Sequence, residues 1–161
     1  ADNVDCPIVF IPLHKGAGGF MSKTQFERFY WPSLKEVMLA FIKEGLIPFA
    51  FAEGDYEPRL EVIKDMPRGS VVWHFEVMDM KKAKEIVGKD NCIAGNLAVS
   101  MLYASTPEEI KEACRKLIRT CGKGGGYILA ASASIDRGRR DNIIAMMEAA
   151  HEYGSCAVKT P

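Results

Sequence analysis

Glu53 is the first candidate for chemistry, because it ends an apolar stretch in which Ile47, Phe49 and Phe51 alternate with smaller residues. Alternation with a period of two is typical of a half-buried strand, so this carboxylate is predicted at the end of a strand. A carboxylate in such surroundings acts as a base or ligand, or else caps the short helix that follows. We take Glu53 as a candidate catalytic residue.

His14 and Lys15 end a second apolar stretch and open a glycine-rich loop. Imidazole transfers protons near neutral pH, an ammonium group binds anions, and glycines let the backbone approach a ligand closely. His14 is therefore a catalytic candidate and Lys15 a substrate-binding candidate. The alternative is an exposed turn with no ligand.

A third stretch alternates the bulky apolar residues Trp73 and Phe75 with His74 and Glu76. If the bulky side chains face the covering helices, His74 and Glu76 point to the opposite side of the strand. Glu76 lies nearest the end of the strand and is a catalytic candidate. His74 lies deeper, and we interpret it as a core histidine.

Four further polar residues are candidates for substrate binding. The amide of Asn96 could orient a substrate carboxylate or hold a neighbouring loop. Ser132 and Ser134 share one face of the last predicted strand, and their small size would leave room for a large ligand. Arg137 could bind a carboxylate or phosphate, although a solvated charged turn has the same composition.

The cysteines do not indicate a metal or disulfide site. There are five of them: Cys6, Cys92, Cys114, Cys121 and Cys156. Their odd number and the lack of any CxxC or CxC motif argue against both kinds of site. Cys114 and Cys121 lie on one face of a predicted helix, so we expect them to be buried as small apolar residues.

The composition is that of a single globular domain of 161 residues, with 48% hydrophobic and 26% charged residues. The 21 basic and 21 acidic side chains balance, which makes nucleic acid and anionic membranes improbable partners. No apolar run reaches the roughly 20 residues that span a bilayer, and no basic signal-peptide region is evident. We therefore expect a cytoplasmic protein with a small-molecule substrate.

Five strand-then-helix units follow one another. The predicted strands are Pro7–Pro12, Leu46–Glu53, Ser70–Val77, Asn91–Leu97 and Gly126–Ile135. The predicted helices include a long one over Lys23–Glu44, in which Pro32 should cause a kink or break, and one over Asp141–Tyr153. Ser22 with Gln25 and Thr106 with Glu109 predict capped helix starts. This alternation means parallel strands in an α/β fold, either a complete flavodoxin-like sheet or five units of a (β/α)₈ barrel.

A resemblance to a known family decides between these two folds. Gly95–Leu97 with Leu102–Ser105, the terminal strand GGYILAASASI and the helix AMMEAAHEYG match in order and spacing. Over Pro7 to Gly154 the chain resembles the second half of uroporphyrinogen decarboxylase-like proteins, which form a superfamily with corrinoid methyltransferases. The resemblance implies that residues 1–161 are the C-terminal part of a (β/α)₈ barrel, with about three N-terminal units absent.

Carried over residue by residue, the resemblance leaves both known active sites incomplete. Zinc-dependent methyltransferases of the superfamily have a His-x-Cys pair where this chain has Phe51 and Glu53, and a cysteine in place of Ala133. We therefore expect no bound zinc. The decarboxylases have a histidine in place of Ala133, and their key aspartate and arginines lie in the absent half.

Three functional hypotheses follow from the resemblance. The first is a decarboxylase acting on a carboxylated molecule such as a tetrapyrrole, without metal or cofactor. The second is a methyltransferase whose corrinoid is supplied by a partner protein. The third is a truncated, non-catalytic protein that binds a ligand or another subunit. In each case the partner for the sheet is the missing N-terminal half or a second copy of the chain.

The barrel hypothesis predicts a specific topology. The five strands should run in sequential order, with the first and last at open edges or paired with another polypeptide. A flavodoxin-like sheet would instead have the order 2-1-3-4-5. Glu53, Glu76 and Asn96 should lie at the same end of the sheet, within the width of a small ligand.

Overall fold

The computed structural model describes residues 6–154 and contains one sheet of five parallel strands in the order β1-β2-β3-β4-β5. The strands are β1 Ile8–Pro12, β2 Ile47–Asp55, β3 Val72–Val77, β4 Cys92–Ala94 and β5 Tyr127–Ile128. The predicted sequential order is therefore confirmed, and the flavodoxin-like alternative is wrong. β1 and β5 form the two edges of this sheet.

Helices fill the connections between the strands. They are α1 Lys23–Gln25, α2 Trp31–Lys43, α3 Leu60–Ile63, α4 Met80–Ile86, α5 Val99–Ala104, α6 Pro107–Cys121 and α7 Arg140–Tyr153. A π-helical turn, Phe26–Tyr30, joins α1 to α2, and short 3₁₀ turns lie at His14–Gly16 and Glu57–Arg59. Among residues 6–154, none of the helices is both long enough and apolar enough to cross a membrane.

The predicted helix starts are confirmed. The Ser22 hydroxyl accepts a hydrogen bond from the backbone N–H of Gln25, and the Gln25 side-chain oxygen accepts one from the backbone N–H of Ser22. Thr106 and Glu109 form the same reciprocal cap on α6. The break expected near Pro32 is the π-helical turn, which ends directly before α2 begins.

The two faces of the sheet have different surroundings. Ala50 and Ala52 of β2 and Trp73 and Phe75 of β3 are fully buried under the helices, as predicted for the bulky pair. The opposite face, which we call the open face, is apolar and only partly covered within the described chain. Phe10 on that face is 60% exposed. In a closed barrel this face would be the interior.

The last strand is much shorter than predicted. Instead of Gly126–Ile135, regular pairing covers only Tyr127–Ile128, followed by an isolated bridge between Leu97 and Ala131. The reason lies in the neighbouring strand. β4 ends at Ala94, because Gly95 adopts a φ of 109° and turns the backbone out of the extended conformation. Beyond that point β5 has no regular ladder partner.

Cys114 and Cys121 are buried, as predicted for small apolar residues, and burial raises the pKa of each thiol to about 11. Cys114 packs in a second apolar cluster formed mainly by α5, α6 and α7. Cys6 is exposed. Cys156 lies outside the described residues.

Candidate functional site

The structure brings His14, Glu53 and Glu76 into one row across the carboxyl ends of three adjacent strands. His14 Nδ1 and a carboxylate oxygen of Glu53 form a short ion-pair contact. The backbone N–H of Gly54, the next residue along, donates a hydrogen bond of 2.7 Å to the Glu76 carboxylate. The row therefore contains one imidazole and two carboxylates. The peptide unit between Glu53 and Gly54 connects the two carboxylates, because its N–H donates to Glu76.

His14 meets Glu53 because β1 and β2 pair in register up to their ends. Pro12 lies opposite Phe51, and the Leu13 N–H donates to the Phe51 carbonyl at 2.9 Å. The chain then enters the 3₁₀ turn that starts with His14. Glu53 lies two residues after Phe51, on the same face of β2. Both side chains remain about half exposed and accessible to a ligand.

Glu76 is positioned by an irregularity between β2 and β3. The pairing register shifts between Ala52 and Asp55, where Gly54 adopts a φ of 78°. That left-handed conformation favours glycine and turns the Gly54 N–H toward the Glu76 carboxylate. A charge-assisted hydrogen bond of this kind holds the carboxylate near the strand ends.

Asn96 lies at the same end of the sheet and ties two strand ends together. Its side-chain nitrogen donates to the carbonyls of Met78, at 2.9 Å, and Glu76, at 3.4 Å. Glu53, Glu76 and Asn96 thus gather at one end of the sheet. The Asn96 amide holds the neighbouring loop, which was one of the two roles expected for it.

Lys15 belongs to the loop over residues 14–21, which we call the site loop. Its ammonium group lies 4.4 Å from the centre of the Phe20 ring, a cation–π contact. Phe20 is itself 57% exposed. Lys15 therefore carries its charge at the outer surface of the site loop, where binding of an anionic group stays a prediction.

The three candidates after β5 lie apart from this row. Ser132 is buried, and its hydroxyl accepts a hydrogen bond from the Val99 N–H at 3.3 Å. Ser134 and Arg137 are exposed and line a separate groove beside Tyr103. The expectation that the two serines share a strand face is wrong, because regular pairing stops at Ile128. Their role in substrate binding stays a prediction.

His74 was interpreted from the sequence as a core histidine, but its position in the structure makes it a further candidate site residue. Its Nε2 lies 2.8 Å from the Ala131 carbonyl, and burial lowers the pKa of the imidazole. The ring is only partly buried, however, and lies on the open face below Glu76. The alternation of His74 with Trp73 and Phe75 was the signal that could have identified it as a site residue.

Three phenylalanines and His74 form an aromatic layer on the open face. The rings of Phe51 and His74 lie 5.0 Å apart, and those of Phe49 and His74 lie 5.8 Å apart. Phe10 packs on Phe51 at 6.3 Å with an interplanar angle of 22°. The layer gives an apolar surface next to the acid–base row, which suits a flat or cyclic ligand.

The residues at the zinc positions of the related methyltransferases do not fit a zinc ion. Phe51 packs against His74 and offers no donor, and Ala133 has no ligand atom. Glu53 is engaged with His14. Among residues 6–154, no group of three or more His, Cys, Asp or Glu side chains is arranged to hold a metal ion.

The family model for uroporphyrinogen decarboxylase (URO-D) matches residues 4–153. The chain belongs to the uroporphyrinogen decarboxylase family. A methyltransferase from Methanosarcina mazei has a similar structure, with a TM-score of 0.76 and 17% sequence identity. That match covers 92% of this chain and 42% of the methyltransferase chain. No curated protein matches the sequence significantly.

The match to the methyltransferase structure shows that the two proteins share a fold over 92% of this chain. This chain spans 42% of the length of that neighbour. Five parallel strands in sequential order, with helices between them, form part of a (β/α)₈ barrel. The uroporphyrinogen decarboxylase family and the partial barrel predicted from the sequence are both confirmed.

Proposed function

We propose that this chain provides the acid–base part of a small-molecule site in a decarboxylase of the uroporphyrinogen decarboxylase family. The row of His14, Glu53 and Glu76 at the strand ends is the observation that carries the proposal. In (β/α)₈ barrels, substrates bind at the carboxyl ends of the strands. The row lies there, beside an aromatic layer and accessible to a ligand.

Decarboxylation without a metal needs a proton donor and a place for the electrons of the broken bond. A proton adds to an electron-rich substrate carbon, the pair of the C–CO₂⁻ bond returns to the substrate, and CO₂ leaves. The net change replaces the carboxylate by one proton. His14 in its imidazolium form is the proton donor, and Glu53 holds that imidazole by the ion-pair contact.

Glu76 and Asn96 support the site in different ways. Glu76 is fixed by the Gly54 N–H, so its second oxygen can accept a hydrogen bond from the substrate. The Asn96 side chain holds the loop after β3 through the Met78 carbonyl. His74 offers a neutral ring within the aromatic layer, where it would contact the body of the substrate.

The proposal is tested by measuring binding and CO₂ release for a panel of carboxylated pyrroles and tetrapyrroles. We expect Glu53→Gln and His14→Asn each to lower CO₂ release at least about a hundredfold, because each removes part of the proton-transfer pair. Glu61→Gln is the matched control, since Glu61 is an exposed carboxylate paired with Lys64. Unchanged turnover in both site variants would contradict the proposal.

Methyl transfer is the second candidate, because the similar structure from Methanosarcina mazei is a methyltransferase. The aromatic layer suits a macrocyclic corrinoid brought by a partner protein as well as it suits a tetrapyrrole. Incubation with methylcobalamin and a panel of acceptors distinguishes the two. Demethylation of the cobalamin that depends on the chain would favour methyl transfer over decarboxylation.

We also propose that further βα units cover the open face. Ile8 and Phe10 on edge strand β1, and Ile128 on edge strand β5, are 50%, 60% and 43% exposed. Both strands lack a second neighbour within the described sheet. Such units, from an N-terminal half or a second copy, would pair with both edges and bury this surface.

A further inference from the structure

A buried guanidinium lies directly behind the site loop. Arg59 is 1% exposed, and no carboxylate lies within ion-pair distance of it among residues 6–154. Burial of an arginine is costly unless its donors are satisfied by hydrogen bonds. The hydrogen-bond acceptors of the Arg59 guanidinium therefore indicate the role of this residue.

All the hydrogen-bond acceptors of Arg59 are backbone carbonyls of the site loop. Nε donates to Gly16 at 3.0 Å, and Nη2 donates to Met21 at 2.5 Å and to Ala17 at 3.4 Å. The guanidinium also lies 4.7 Å from the centre of the Phe26 ring. One side chain thus holds both ends of a glycine-rich loop.

Tyr56 holds the residue on the other side of His14. Its hydroxyl donates to the Leu13 carbonyl at 2.5 Å, and the whole side chain is buried. A Cβ on Gly16 would overlap that hydroxyl, so glycine is needed for the loop to pass this close. Leu13 and Gly16, which flank His14 and Lys15, are therefore both fixed from behind.

We propose that Arg59 and Tyr56 are positioning residues that hold the site loop so that His14 faces Glu53. His14 itself is about half exposed, and among residues 6–154 the polar contact of its side chain is the one with Glu53. A loop with three glycines would otherwise occupy many conformations, and its ordering costs entropy. The hydrogen bonds to Leu13 and Gly16, which are buried, and those to Ala17 and Met21, which are partly buried, offset that cost.

Arginine suits this role better than lysine. Its planar group donates in several fixed directions, which matches carbonyls at separate points of the loop. A lysine would place one ammonium group near these carbonyls and could not reach all three in the same geometry. Arg59→Lys is therefore the conservative variant, because it keeps the positive charge and removes the planar group that donates in several fixed directions.

The inference rests on the proposed function only for the importance of the His14–Glu53 contact, and its test needs no substrate. The intact protein, labelled with ¹³C-histidine and ¹³C-glutamate, is studied by NMR for the nuclear Overhauser effect between the His14 ring and the Glu53 side chain. We expect this effect to be lost in Arg59→Lys and weakened in Tyr56→Phe. The nuclear Overhauser effect between His74 and Phe51 should persist in both Arg59→Lys and Tyr56→Phe, because these two side chains lie on the open face.

Arg68→Lys is the control, since Arg68 is exposed and its only ion-pair partner in the described chain is Asp90. Retention of the His14–Glu53 effect in folded Arg59→Lys would overturn the inference. If Arg59→Lys does not fold, Tyr56→Phe decides, because it removes one hydroxyl: an undiminished effect overturns the inference and a weakened one supports it. Unchanged CO₂ release in both His14→Asn and Glu53→Gln would overturn the proposed function and leave the positioning result unaffected.

Discussion

His74 shows how the surroundings of one residue set its chemistry. Burial beside Phe49 and Phe51 favours the neutral imidazole and lowers its pKa, while the nearby Ala131 carbonyl and the Glu76 carboxylate oppose the shift. His151 lies on the exposed side of α7.

The lowered pKa of His74 makes stability depend on pH in a defined direction. Since the folded state holds its proton less tightly than the unfolded state, the free energy of unfolding should fall as pH decreases through the ordinary histidine pKa of 6.5. We expect His74→Gln to lose less stability than wild type between about pH 7.5 and about pH 5.5. Urea unfolding measures this, with His151→Gln as control; equal losses in wild type and His74→Gln would contradict it.

The buried thiols of Cys114 and Cys121 should react more slowly than the exposed thiol of Cys6. Burial raises the pKa of Cys114 and Cys121 from 9.0 to about 11, which lowers their thiolate fraction about a hundredfold at neutral pH. In the native protein we expect an alkylating reagent to modify exposed Cys6 before Cys114 and Cys121. Peptide mass spectrometry after timed labelling measures the order. Modification of Cys114 or Cys121 as fast as Cys6 would show that the α6 core opens readily.

At the scale of single residues, the sequence predicted Glu53 and Glu76 because strand alternation fixes which side chains share a face. It misplaced the pair Ser132 and Ser134, since their position depends on where a ladder stops rather than on the strand's own pattern. The contacts of Arg59 could not be predicted either, because its partners are backbone carbonyls distant in sequence.

Helix α6 shows how local sequence determines an element. Thr106, Pro107 and Glu109 occupy the cap and the first turn, and the reciprocal hydrogen bonds satisfy backbone donors that have no partner within the helix. Such signals are local, which is why the starts of the long helices were predicted from sequence. The length of β5 depends on where the neighbouring strand β4 ends, so it could not be predicted from the sequence of β5 alone.

Removal of this cap has a predictable cost. We expect Thr106→Ala to lower the free energy of unfolding by about 1 kcal/mol, because the Glu109 N–H loses its acceptor. Thr120→Ala is the matched control, since Thr120 is exposed near the other end of α6. Chemical denaturation of both variants measures the difference. An equal effect of the two changes would mean that the cap adds no stability.

At the scale of the whole molecule, the open face and the two edge strands are the dominant features. The alternation of strands and helices predicted parallel pairing, and the family resemblance predicted the sequential order that the sheet has. The chain spans 42% of the length of a structurally similar chain, which supports our proposal that further βα units adjoin this sheet. A partly covered apolar face between two edge strands, as seen in residues 6–154, is expected to associate.

The association can be tested on the purified chain. We expect wild type to show a mass above the 17.8 kDa of one chain in light scattering at high concentration. Phe10→Lys should shift the protein toward the monomer, because it places a charge on the open face at an edge strand. Met147→Lys is the control, since Met147 is 55% exposed but lies on α7. A wild type that stays monomeric would contradict the prediction.

The sequential strand order also has a kinetic consequence. Each ladder joins two strands separated by a single helical connection, so every strand pairing closes a loop of one βα unit and none spans the whole chain. Contacts between neighbours in sequence form faster than contacts between distant segments. The sheet can therefore grow by one βα unit at a time.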